Sequence, residues 1–121
     1  MPAEYKINKF LGVVCSSAHG TLIENEAYSH QDKLRNDPAF DPSFSQLADF
    51  TKVTQVDLST NAIHHLAERN PFGIGSKRAF VTPKDMMYGL ARMFQILTDN
   101  HLDELMIFRD IQEARKYLCL D

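Results

Sequence analysis

The chain predicts a single α/β domain spanning 1–121: a mixed five-stranded sheet with elements in the order β-β-α-β-α-β-α-β-α. Three observations predict it. Short apolar runs alternate with amphipathic stretches, the pattern of a largely parallel sheet joined by right-handed helical crossovers. The first two strand-like runs follow one another directly, so a hairpin adds one antiparallel strand. The length, 121 residues, suits one domain, which at this size buries roughly two-thirds of its unfolded surface.

Each element has its own signal. Tyr5, Ile7 and Lys9 alternate with polar neighbours, and a turn near Asn8-Lys9 leads to a second strand from Phe10 to Ala18, with Val13, Val14 and Cys15 inside it. Gly20 ends that strand, and Thr21 with Glu24 forms a T-x-x-E capping box. Ile23, Ala27, His30 and Leu34 then recur at helical spacing, up to Asp37-Pro38. Asp37-Pro38 and Asp41-Pro42 frame a rigid loop from which Phe40 and Phe44 fold back on the core.

Gln46 to Lys52 is the third strand. Leu47, Ala48 and Phe50 show little alternation, as expected when both faces are covered. A helix starts near Asp57 or Ser59, both able N-caps, with Ala62, Ile63, Leu66 and Ala67 as its stripe. The loop Pro71-Phe72-Gly73-Ile74-Gly75 leads to a fourth strand, Arg78 to Val81. Thr82-Pro83-Lys84-Asp85 opens a helix whose core face is Met86, Leu90, Phe94 and Leu97, closed by Asp99-Asn100-His101. Leu105 to Phe108 is the fifth strand, and Asp110 with Glu113 caps a last helix carrying Ala114, Tyr117 and Leu118.

Composition narrows function more than it defines it. Hydrophobic residues are 44% and charged residues 24%, an ordinary globular balance. The formal net charge of −3 and the absence of a basic stripe argue against nucleic acid as a partner. Lys77-Arg78 is the only dense basic pair. Cys15 and Cys119 lie near opposite ends, form no CxxC, and read as two reduced, largely buried thiols. No apolar run reaches the roughly 20 residues of a membrane span, and the start of the chain has no apolar signal region. A cytoplasmic protein is expected.

Each chemical motif has a plainer reading. Gly73-Ile74-Gly75-Ser76-Lys77 leaves a helix and enters a strand, the reverse of a phosphate loop, so a turn is expected. Cys15 and His19 share a strand face but stand roughly 13 Å apart, too far for a nucleophile and its base. His64 and His65 are adjacent and point about 100° apart, so they do not converge on one metal. Met86, Met87, Tyr88 and Met93 read as core, or as the wall of a greasy pocket. No catalytic set, metal or cofactor is expected; Asp49, Asp57 and His65 are the set an enzyme reading would need. The segment Asp49 to Asn61 leaves a strand end and enters a helix, where open α/β sheets bind ligands and where free N–H groups favour an anion. Asp57, Ser59, Thr60 and Asn61 are therefore the candidate partner- or anion-binding residues, with capping as the simple alternative.

The element order resembles the SpoIIAA-like branch of the STAS domains. So do Gln46-Leu47-Ala48-Asp49, Val53-Thr54-Gln55-Val56-Asp57-Leu58-Ser59, Gly20-Thr21-Leu22, Asp37-Pro38-Ala39-Phe40-Asp41-Pro42 and Pro71-Phe72-Gly73-x-Gly75-Ser76. Arg78-Ala79-Phe80-Val81 and Tyr88-Gly89-Leu90-Ala91-Arg92 extend it over nearly the whole chain, closest to a bacterial group without assigned activity. The resemblance implies a non-enzymatic regulatory or protein-interaction module. In the anti-sigma antagonists of this family an Asp-Ser-Ser-Gly run opens the helix and its first serine is phosphorylated. Here the run is Asp57-Leu58-Ser59-Thr60, with leucine at that position and no glycine, so a switch is absent or moved to Ser59 or Thr60. The same group is likened to CRAL-TRIO lipid-carrying domains, which implies a small apolar-ligand or lipid site as the alternative. Expected partners are thus another protein, a second copy of the chain, or a small apolar ligand.

Overall fold

The computed structural model describes residues 3–73, 75–98 and 103–120, without the side chains of Met86 and Asp103. Asp99, Asn100 and His101, expected to close a helix, lie outside them, as does Ile74. The element order is the expected one. Strands β1 (Ala3–Asn8) and β2 (Val13–Ile23) pair antiparallel, from Asn8 opposite Val13 to Ala3 opposite Ala18. Their turn is longer than predicted. Leu11 N–H donates to the Asn8 side chain at 3.0 Å, and Gly12 supplies the left-handed residue at φ 65°. Phe10, expected inside β2, stands at the turn, 97% exposed.

Gly20 does not end β2. At φ 70° it sits beside a register shift and lets the strand bend and continue to Ile23. The expected Thr21–Glu24 box therefore does not form. Thr21 is still strand, and α1 (Glu24–Arg35) begins behind Ile23 with no side-chain cap. Strand β3 (Ser45–Asp57) also outruns its predicted end, pairing with β2 as far as Asp57 opposite Ile23. Helix α2 (Thr60–Glu68), strand β4 (Ser76–Val81), helix α3 (Asp85–Thr98), strand β5 (Asp103–Phe108) and helix α4 (Ile111–Tyr117) complete the chain.

The strand order is β1-β2-β3-β4-β5, and the pairs from β2 onward are parallel. A sheet that grows in one direction by right-handed crossovers must place every crossover helix on the same face. The packing agrees. Ala48 and Phe80 from the sheet meet Ile63 and Leu66 of α2 and Ala91 and Phe94 of α3, with Leu105 beside them. Val14 packs with Leu34 of α1, and Phe40, Phe44 and Phe72 close that end. Their rings meet edge to face: Phe40 lies 5.2 Å from Phe72 and 6.4 Å from Phe44. Helix α4 covers the opposite face, its Ala114 and Leu118 on Leu47, Ala79 and Val81.

Two expectations about α3 are corrected. Thr82 does not cap it. The Thr82 amide donates to Phe108 O at 2.8 Å, continuing the sheet, and the helix starts at Asp85. Of its expected core face, Phe94 is buried and Leu90 packs half-buried on the core, but Leu97 is 38% exposed, and Met87, Ala91 and Thr98 complete the buried side. The two cysteines are also corrected, since both are exposed. Cys15 alternates with inward-facing Val14 and Ser16 and so points to the sheet's other face.

Candidate functional site

The segment singled out by sequence is a well-satisfied helix start. The Ser59 hydroxyl accepts from Ala62 N–H at 3.0 Å and donates to Glu24 Oε1 at 2.8 Å, tying α2 to the first turn of α1. Ser59 is the cap, while Asp57 is the last residue of β3. Asp57, Thr60 and Asn61 are exposed around it. The other candidates stay apart. Asp49 turns its carboxylate onto Thr51 N–H at 2.8 Å, and His65 Nδ1 lies 3.4 Å from the Tyr28 hydroxyl. His64 and His65 are both exposed, and among the described residues no three metal-ligating side chains converge. The Gly73–Gly75 turn is held by Gly73 N–H on Pro42 O and Ser76 N–H on Gly73 O, and leads straight into β4.

The structure gathers a different set of residues. Between the sheet and α1–α3 lies a cavity of about 130 Å³ that opens to solvent. Its walls are mostly apolar: Ala18 and Leu22 of β2, Ala48 and Phe50 of β3, Ile63 and Leu66 of α2, and Met87, Leu90, Ala91 and Phe94 of α3. Leu58 lines it too. Leu58, which by resemblance stands where the anti-sigma antagonists carry a serine, is thus a wall of the cavity.

One part of the lining is polar. It comes from one residue each of β2, β3, β4 and α1: Ser16, Gln46, Arg78 and His30. They form a directed chain of hydrogen bonds. Arg78 Nε donates to Gln46 Oε1 at 3.0 Å, and Gln46 Nε2 donates to Ser16 Oγ at 3.0 Å. Ser16 Oγ lies 3.0 Å from His30 Nε2. The Ser16 hydroxyl keeps a second lone pair and its own hydrogen, so it meets either tautomer of a neutral imidazole, as donor or as acceptor. His30 is in fact held neutral. Burial first, then the positive charges of Arg78 and Lys33, push it down to about 4. The Tyr5 ring meets His30 edge-on at 5.5 Å. The Tyr5 hydroxyl donates to Asp37 Oδ2 at 2.8 Å, and burial and that bond push it up to about 12.

Arg78 is 4% exposed. Its Nη1 donates to Asn70 Oδ1 at 3.0 Å, and its guanidinium lies over the rings of Phe72, Phe80 and Phe94 at 4.5, 5.2 and 5.5 Å. Gln31, next to His30 on α1, donates through Nε2 to Leu66 O at 2.8 Å. That bond fixes the amide's orientation. Gln31 Oε1 is then a buried acceptor with no donor among the described residues. Sequence reasoning missed this set because each member comes from a different element. The available signal was local: Gln46 and Arg78 are polar residues set directly against the buried apolar runs Leu47-Ala48 and Ala79-Phe80-Val81.

No family model matches the chain, and no curated protein matches it. Among solved structures, the chain is similar to an uncharacterized protein of the DUF3478 family from Shewanella loihica PV-4, described as having a SpoIIAA-like fold. The TM-score is 0.63 at 16% identity, over 97% of this chain and 92% of that one. The fold is SpoIIAA-like. The expected architecture is therefore that of a solved structure, and the likeness is one of fold alone. No described helix is long and apolar enough to cross a membrane.

Proposed function

We propose that this chain is a non-enzymatic binding module of SpoIIAA-like fold whose occupant is a small, mostly apolar molecule. The observation that carries the reading is the cavity between the sheet and α1–α3, with its apolar walls and polar patch. Ligand sites have this composition: mostly hydrophobic lining with a few polar groups that set orientation. Leu58 supports it, because an apolar wall stands where the family's antagonists carry a phosphorylated serine. Native mass spectrometry of the purified chain tests it. The wild type is expected to retain a small molecule, and Ala91→Leu, which fills the cavity, to lose it. A wild type that carries nothing and binds no added apolar probe would overturn the reading.

A second reading, a regulatory protein-interaction surface at the α2 start, is favoured by the exposure of Asp57, Thr60 and Asn61 around a rigid cap. There a specific partner would lose affinity on Asn61→Arg and keep it on Ala91→Leu. Ser59 is the weaker phosphorylation candidate of the two, since its hydroxyl is engaged twice. Thr60 is the stronger.

A further inference from the structure

We infer that the protein forms a twofold dimer in which strand β1 pairs antiparallel with β1 of a second copy, joining the two sheets into one. The two edges of the sheet differ. At β5, Gln95 Nε2 donates to Leu105 O at 2.6 Å, so a side chain already takes one of that strand's carbonyls. At β1 the backbone bonds among the described residues are those to β2. An edge strand presents a row of unpaired N–H and C=O groups that a further strand can complete. Strand β1 offers Ala3–Asn8 in unbroken register with β2, with no proline or bulge to stop an approach.

The side chains specify the occupant. Glu4 and Lys6 are exposed and project from the same face of β1. Neither makes an ion pair among the described residues. A lysine on an edge ordinarily discourages another strand. Here it comes with a carboxylate at the spacing that a copy of the same strand matches. In a twofold antiparallel pair, opposed residues lie on the same face of the sheet. An axis placed at Tyr5 sets Glu4 against Lys6 of the second copy, and Lys6 against its Glu4. Opposite charges in such positions stabilise a strand pair, and like charges destabilise it. On the other face Tyr5 meets Tyr5 and Ala3 meets Ile7. All three are half-buried, and Tyr5 and Ile7 already pack against Val14 and Leu34. The second strand extends that cover. A foreign segment would need the same two charges in the same order to do as well.

Sedimentation equilibrium of the whole chain tests this, with the melting temperature as a check on folding. The wild type is expected to dimerise. Glu4→Lys sets lysine against lysine across the axis, and Lys6→Glu sets glutamate against glutamate. Each is expected to weaken the dimer about tenfold or more, since two opposed pairs change sign. Both side chains are exposed, so the variants should keep the fold. The double variant Glu4→Lys/Lys6→Glu restores opposite charges and should recover the dimer. An equimolar mixture of the two single variants should recover it too, as a heterodimer. A wild type that stays monomeric up to its solubility limit overturns the inference. So does a dimer that both single variants leave unchanged, or one that the double variant fails to restore, because its interface then lies elsewhere.

Discussion

His30 is a side chain whose environment costs stability at one end of the pH scale. Its folded value of about 4 lies below the ordinary 6.5, so between these values the unfolded chain binds a proton that the folded chain refuses. Stability therefore rises with pH through that window and is lost as pH falls from 6.5 towards 4. The loss is at most about 3 kcal/mol, given 1.36 kcal/mol per unit. His30→Gln keeps a polar group beside Ser16 and carries no titratable proton. Urea melts at pH 7 and pH 4.5 should show a smaller acid loss for the variant than for the wild type. Equal losses would mean that the imidazole is not the group responsible. Arg78 and Lys33 face the ring and keep their charge throughout, so they set the baseline rather than the slope.

At the scale of elements, the ends of helices hold the clearest predictions. Ser59→Ala removes the α2 cap and its bond to Glu24, and should cost about 1 kcal/mol in denaturant unfolding. Thr60→Ala, one residue further on, should cost far less. Helix α4 ends in a Schellman motif: Leu120 N–H donates to Arg115 O at 3.0 Å and Cys119 N–H to Lys116 O at 3.1 Å. Cys119 bears the left-handed backbone at φ 59°, where a side chain is strained. Cys119→Gly should raise stability by about 1 kcal/mol, seen as a higher urea midpoint. These ends also show what the sequence could disclose. Caps are local, so Ser59 and Asp110 were legible from their neighbours alone. Strand ends are not local. Gly20 has the composition of a terminator, yet pairing with β3 carries β2 past it, and the mostly polar stretch Thr51 to Asp57 pairs with β2 alone, beyond the end of β4. The later start of α3 has the same origin, since the Thr82 amide was claimed by Phe108 instead of the helix. The site was less legible than the fold. Ser16, His30, Gln46 and Arg78 are spread over 63 positions of sequence, and only the sheet register brings them together.

For the molecule as a whole, an unfilled interior carries a cost. The cavity of about 130 Å³ leaves apolar wall open to solvent, and burying such surface is worth roughly 25 cal/mol per Å². Ala91→Leu should recover about 1 kcal/mol as a higher melting temperature while removing ligand binding. Opposite movements of stability and binding are what a functional space predicts, and a mere packing defect would not show them. The one-directional growth of the sheet has a practical consequence as well. Because all three crossovers lie on one side, the strands act as a partition, with the cavity on one side and exposed Cys15 on the other. In a Cys119→Ser background that thiol is a single attachment point. A fluorophore placed there would sit one residue along the backbone from Ser16, report on events across the sheet, and leave the entrance free.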